Sequence, residues 1–340
     1  MRYRSFIASL FVVLFTQAKA QQALTLDECL GAAMKNNPLS AQNEIYASSS
    51  DLQQKNIDNA KLPQLNLNGQ ATYQNEVIQL LVSLPNAPAP VIPKAQYKMS
   101  VDANQLIYGG GAIDAQGTIE DYSRQINQLN NDAELYKLKE RINQLYFSIL
   151  LSDLNAEVIN NTISDLSGRL EKVKASVKEG VLLSSAAEVL QAEILKAGQR
   201  LLDVKSQKQA LVSSMQVLTG LTISRNTQFV EPAMSVDLST YTNLRPEFGV
   251  FGLMQQKLEA TRKLTIAKER PRLYGFGTAG YGNPGYNFFK EGSAFFCTVG
   301  AKLSWNFWNW NETRREKQIV DLSKTIIENQ KNAYDLANKS

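Results

Sequence analysis

The chain states its architecture twice. Pro38 and Pro63 stand the same 25 residues apart as Pro246 and Pro271, so a single offset of 208 relates both pairs. After each second proline come an alternating stretch, a loop, another alternating stretch and a turn into a long helical pattern. The first turn is Ile107-Tyr108-Gly109-Gly110-Gly111 and its counterpart is Phe307-Trp308-Asn309-Trp310-Asn311. A duplicated helix–strand–strand–helix unit limits the available folds sharply, because each element of one copy needs an equivalent place for its twin.

The strands of both copies have one apolar face. In 64–73, Leu65, Leu67, Gly69, Ala71 and Tyr73 oppose Gln64, Asn66, Asn68, Gln70 and Thr72. In 97–107, Tyr97, Met99, Val101, Ala103 and Ile107 oppose Lys98, Ser100, Asp102 and Asn104. The stretch 295–307 alternates in the same way, with Lys302 on its polar side, whereas 273–281 is less regular. Period two over about ten residues with aromatics near the ends is the pattern of a transmembrane β-strand. It also describes a half-buried strand of a soluble sandwich. The amide- and hydroxyl-rich polar face and an export signal favour the membrane. Four strands cannot close a barrel, and an open sheet in lipid leaves backbone groups unsatisfied. The expected solution is a barrel shared between copies, three of which supply twelve strands.

The export signal is read from Arg2 and Arg4, the apolar run Phe6 to Phe15, and the small-x-small site Ala18-Lys19-Ala20. Its removal takes the formal charge from +4 to +1, which gives no electrostatic reason to expect nucleic acid as partner. The chain has no histidine and two cysteines, Cys29 and Cys297, in unlike contexts that do not suggest a disulfide. Its carboxylates form no acid–base pair, and Gly109-Gly110-Gly111 lacks the lysine and spacing of a phosphate loop. No catalytic residue, cofactor or metal site is expected.

From 112 to 177 there is no proline, and Leu135, Leu138, Ile142, Leu145, Ile149, then Ile163, Leu166, Leu170, Val173 and Val177 step by three and four. Such a helix is about 100 Å long at 1.5 Å per residue. After a break at Glu179-Gly180, the stepping resumes through Ile194, Ala197, Leu201, Val204, Leu211, Met215 and Leu218. An antiparallel hairpin with its tip near Gly180 is predicted, with Lys208 in its seam as a snorkelling surface residue. A filamentous or adhesive coiled coil has the same stepping, but would not start each long helix where a lipid-type strand ends.

Several segments resemble TolC-type outer-membrane efflux proteins. They are Thr25-Leu26-Asp27-Glu28-Cys29-Leu30 followed by Asn36-Asn37-Pro38, Ala60-Lys61-Leu62-Pro63, Leu106 to Gly111, Gly180 to Ala192, and Leu244-Arg245-Pro246-Glu247. The resemblance covers about residues 23 to 340. It implies an α+β membrane protein: a homotrimeric transmembrane β-barrel, four strands per protomer, continuous with a long α-helical coiled-coil barrel in the periplasm. It also implies a passive duct in the outer membrane that meets a periplasmic adaptor (membrane fusion) protein and an inner-membrane pump or type I secretion transporter. Gly180, Val181, Leu182, Leu183, Ser184 and Ser185 would be the adaptor-contacting tip. Asn66, Asn68, Gln70, Asp102, Asn104 and Lys302 would line the lumen.

The expected organisation is a signal peptide at 1–20, a first repeat at 21–220, a connector at 221–243 and a second repeat at 244–340. Two features depart from the family pattern. Glu188 stands where aspartate is common, and the second repeat has 30 residues after its turn where the first has 110. The second repeat is therefore expected to be incomplete, in a partial product or a divergent member lacking a hairpin. Two alternatives to the export duct follow: a surface-held structural or adhesive coiled-coil protein, and a non-functional truncated efflux protein.

Overall fold

The computed structural model describes residues 23–77, 92–224, 227–233, 245–287 and 292–339. The expected signal peptide, most of the proline-dense loop 80–93, part of the loop 282–292 and about half of the connector 221–243 lie outside the described residues. In order, the elements are β1 (Ala23–Leu24), α1 (Leu26–Asn36), α2 (Gln42–Asp58), β2 (Gln64–Tyr73), β3 (Ala95–Tyr108), α3 (Ala112–Lys178), α4 (Ser184–Thr219), β4 (Gln228–Phe229), α5 (Pro246–Lys268), β5 (Arg272–Asn283), β6 (Ala294–Ser304) and α6 (Glu312–Lys339). The duplication is visible as α2–β2–β3–α3 and α5–β5–β6–α6. Pro63 and Pro271 stand near the strand entries Gln64 and Arg272, where a missing N–H and a fixed φ do no harm.

The chain divides into two compact units. One comprises Ala41–Ala133 and Thr242–Ser340 and contains a four-stranded antiparallel sheet in the order β2-β3-β5-β6. The two copies meet at its centre through β3 and β5, leaving β2 and β6 as edges. One row of the ladder is Asn66, Asp102, Thr278 and Thr298; the next is Leu67, Val101, Ala279 and Cys297. The irregular stretch 273–281 is fully laddered. Tyr274 and Phe276 sit on the polar face, and a glycine makes room for the Phe276 ring across the strands: a Cβ on Gly300 would stand 2.6 Å from it. The alternation expected to reach Phe307 leaves the ladder at Ser304, whose partner Arg272 is the first residue of β5.

Around the sheet, Asn43 Nδ2 donates to Asp132 at 2.8 Å and Gln54 Nε2 to the Gly117 carbonyl at 2.7 Å, joining α2 to the start of α3. α5 packs on α6 through Val250, Ala260, Val320 and Ile327, with the Phe248 and Tyr334 rings edge to face at 5.3 Å. No helix among the described residues is long and apolar enough to cross a membrane.

The other unit comprises Met1–Ser40 and Glu134–Tyr241. Thr25 and Glu28 form a reciprocal capping box at the start of α1: the Thr25 amide donates to the Glu28 carboxylate at 2.9 Å and the Glu28 amide to the Thr25 hydroxyl at 3.3 Å. The core gathers Cys29 and Ala33 of α1, Ile142, Leu145, Tyr146 and Ile149 of α3, and Val212 and Met215 of α4. Every seam position predicted on α3 and α4 is buried or half-buried. Part of the expected connector is not irregular: β4 pairs in parallel with β1.

Candidate functional site

The polar face of the sheet collects Asn66, Asn68, Gln70, Asp102, Asn104 and Lys302, all at positions of one parity in the ladder. Asp102 is the centre of a hydrogen-bond group: it accepts from Asn68 Nδ2, from Thr278 Oγ1 at 2.6 Å and from Ser100 Oγ at 3.5 Å. The carboxylate is thereby fixed across three strands. Lys98 shares this face, its ammonium 4.8 Å from the centre of the Phe296 ring and 5.5 Å from that of Tyr286. Arg272 lies on the same face, opposite Ser304. Asn104 is opposite Gln64 and Phe276, and Lys302 opposite Tyr274.

The opposite face is apolar and open. Leu65, Leu67, Met99, Val101, Val299 and Leu303 are all exposed, with Val299 at 81 %. Tyr73, Tyr97, Tyr281 and Phe295 stand toward one end of this face, and Tyr108, Trp305 and Phe307 toward the other. Free Cys297 lies on it as well.

The tip is built by a Schellman turn. Gly180, at φ +78°, donates to the Val177 carbonyl at 3.0 Å, and Val181 donates to Ser176 at 2.9 Å. Glycine is needed there because a Cβ strains the left-handed conformation. The turn projects Val181, Leu182 and Leu183 into solvent, Leu183 at 78 % exposure, before Ser184 and Ser185 open α4. Three consecutive aliphatic residues are thus left uncovered at the end of the hairpin.

The hairpin is fixed at two further places that sequence reasoning missed. Lys208 does not snorkel: its Nζ meets Asp153 at 2.5 Å, and its side chain is only 25 % exposed, so it ties α4 to α3. The charges are of opposite sign at facing seam positions, a pairing visible only once the register is known. The Tyr146 hydroxyl, fully buried, lies 2.8 Å from the Leu24 carbonyl and 2.6 Å from that of Val230. It fastens α3 to the β1–β4 strands, and its ring stacks edge-on against Phe229 at 5.4 Å. Burial pushes the Tyr146 phenol above its ordinary range. Among the described residues no cluster of side chains could hold a metal ion.

Solved structures define the class of this architecture. The chain superposes on the CusC channel with a TM-score of 0.69 at 13 % identity, covering 92 % of this chain and 73 % of that one. It superposes on the outer membrane protein VceC of Vibrio cholerae at 0.68 and 12 %, covering 91 % and 75 %. The Campylobacter jejuni outer membrane channel CmeC matches at 0.63 and 13 %, covering 92 % and 68 %. No protein-family model matches the sequence, and no curated protein does. The likeness to TolC-type outer-membrane channels is therefore one of fold: a small antiparallel sheet and long paired helices in an α+β arrangement.

Proposed function

We propose that the protein is the outer-membrane channel of an export system, a homotrimer whose three sheets close into one twelve-stranded barrel. The observation that carries this is the sheet itself: an apolar face left open along its length, a hydrogen-bonded polar face, and two unpaired edges, β2 and β6. From Phe295 to Trp305 the chain advances ten residues, about 33 Å at 3.3 Å each. Tilted by about 40°, that length covers about 25 Å of membrane depth, the height of the apolar band of such barrels. In lipid an unpaired edge leaves several kcal/mol per backbone group unmet, so β6 of one copy must pair with β2 of the next.

The helices support the same assembly. α3 has a second stripe, Phe147, Leu151, Leu154 and Val158, exposed beside its buried seam, and α6 has another, Ile319, Leu322 and Ile326. A helix with two apolar stripes needs a neighbour on each, and among the described residues these second stripes stay exposed. In this reading Asn66, Asn68, Gln70, Asp102, Asn104 and Lys302 line a water-filled lumen. Gly180, Val181, Leu182, Leu183, Ser184 and Ser185 meet a periplasmic adaptor, with an inner-membrane pump or type I secretion transporter beyond it. The helical part stands in the periplasm, and the organisation is the leader 1–20, repeats 21–220 and 244–340, and the connector 221–243.

The test is outer-membrane fractionation followed by unheated gel electrophoresis and single-channel recording in planar bilayers. A heat-dissociable trimer that conducts is the expected result. A monomer, or a protein released from the membrane by salt, overturns the proposal and returns the choice to an adhesive coiled coil or an inactive product.

A further inference from the structure

The four strands of the sheet carry four charged residues, and all stand on the polar face: Lys98 and Asp102 on β3, Arg272 on β5 and Lys302 on β6. The ladder sets them at separate levels. Lys302, opposite Tyr274, lies two polar-face rows from Asp102, and Lys98 lies two rows from it on the other side. At about 3.3 Å per residue each interval is about 13 Å. Arg272 stands one row beyond Lys302, where the strands give way to the helices.

These charges are presented differently. Lys98 and Lys302 are exposed, and neither forms an ion pair among the described residues. Asp102 is half-buried, and its carboxylate accepts from Asn68, Ser100 and Thr278, three of about four acceptor positions. Its charge is thus met by donor dipoles along the wall. Arg272 is also half-buried, in a groove it shares with Lys268, Arg270, Glu269, Glu312 and Glu316. Three cations meet three carboxylates there, so that level is balanced. The joining loops balance as well: 74–94 holds Glu76 and Lys94, and 284–293 holds Lys290 and Glu291.

Lys98 is held in position. Its ammonium lies over the Phe296 and Tyr286 rings, whose centres are 4.6 Å apart. Gly280 makes room for this arrangement, since a Cβ there would stand 2.5 Å from the Phe296 ring. The aromatic faces fix the height of the charge without neutralising it.

We propose that the barrel is an anion-selective filter, in which Lys98 and Lys302 of each copy form two rings that admit small anions ahead of cations and fit the duct to anionic cargo. The proposal rests on the barrel reading. Rings of lysine or arginine are what select anions in pores. Each copy brings two open cations against one satisfied carboxylate, a net charge of +1, and three copies bring +3. Twelve strands about 4.8 Å apart and tilted by about 40° close at a radius of about 12 Å, so every charge lies within about 12 Å of the axis. The screening length is about 10 Å at 0.1 M salt, so the field of the lysines reaches the axis. Coulomb's law with that screening favours a monovalent anion over a cation there by roughly threefold. At 1 M the screening length is about 3 Å and the preference is expected to vanish.

The test is single-channel recording of the full chain in planar bilayers across a potassium chloride gradient centred on about 0.1 M. The reversal potential is expected to be displaced toward that of chloride, and the displacement to disappear at about 1 M salt. Lys98→Gln with Lys302→Gln should abolish the chloride preference and still give a heat-dissociable trimer. The helices keep their charges in this variant, so the change in reversal potential reports the barrel alone. If the double variant does not assemble, Lys302→Gln alone, which leaves Lys98 on its two rings, should move the potential in the same direction. A parent that prefers potassium, or lysine variants with the parent's reversal potential, overturns the filter while a conducting trimer leaves the barrel standing. Absence of a conducting trimer overturns both. Asp102→Asn should move the potential less than Lys302→Gln does, and a larger move overturns the assignment of selectivity to the lysines.

Discussion

Val101→Arg tests the facing of the sheet most directly. Val101 is four residues from Tyr97 and seven from Tyr108 on β3, about 13 Å and 23 Å along the strand. It thus lies within about 5 Å of the midpoint between the aromatic ends, on the row of Leu67, Ala279 and Cys297. An arginine on the lipid face near the midplane costs about 2–4 kcal/mol. Each copy then loses about 30- to 700-fold in its membrane-folding equilibrium. Three copies bring about 6–12 kcal/mol to the trimer if their costs add. Asn104→Arg, three residues along the same strand but on the polar face beside Gln64 and Phe276, places the same charge toward water. Its expected effect is within about 0.5 kcal/mol. The assay is assembly of each variant in vesicles along a urea series, scored by the heat-dissociable species. Val101→Arg should fail to assemble at urea concentrations where Asn104→Arg and the parent still do. Equal tolerance of the two would show that the odd-numbered face does not meet lipid, and the reasoning would fall with it.

Three further outcomes are expected. Tyr146→Phe keeps the ring but takes the buried hydroxyl from the Val230 carbonyl and from that of Leu24, which keeps the Val230 amide at 3.1 Å; a loss of about 1–3 kcal/mol should appear as a lower thermal midpoint. An unchanged midpoint would mean that water replaces the hydroxyl. Cys297, on the apolar face, should react in vesicles with a lipid-soluble maleimide and not with a charged thiosulfonate. Cys29, fully buried with its thiol pushed up to about 11 by desolvation, should react with neither until the protein unfolds. Finally, the Thr25 amide and hydroxyl hold the Glu28 carboxyl below its ordinary range, so the capping box stabilises α1 at neutral pH. That contribution is present above the unfolded pKa and should be lost as pH falls through the depressed one; Glu28→Gln should flatten the acid limb of stability against pH, and an unaltered limb would refute the linkage.

Much of this architecture is local in origin. Period-two alternation fixes the face of each residue in a strand whatever its neighbours are, so Asn66 and Asp102 could be assigned to the polar side before any pairing was known. Steps of three and four along α3 and α4 likewise marked the buried seam, since 3.6 residues per turn place those positions on one side. The duplicated spacing located both strand–strand units, and Gly180 located the tip. What depends on partners distant in sequence stayed hidden. Lys208 reads as a surface lysine until Asp153 is seen to face it across the hairpin. Tyr146 reads as one more seam residue until two carbonyls, more than 80 positions away on either side, converge on its hydroxyl. The left-handed φ of Trp310, +52°, emerges only when its turn is compared with the glycine turn of the other copy. Sequence alone determined the long helices and the four sheet strands and, along their regular stretches, which way the side chains point, because those follow from backbone periods within a few residues. The tertiary structure decided which of those side chains meet, because register and contact are set by packing between segments that the chain keeps far apart.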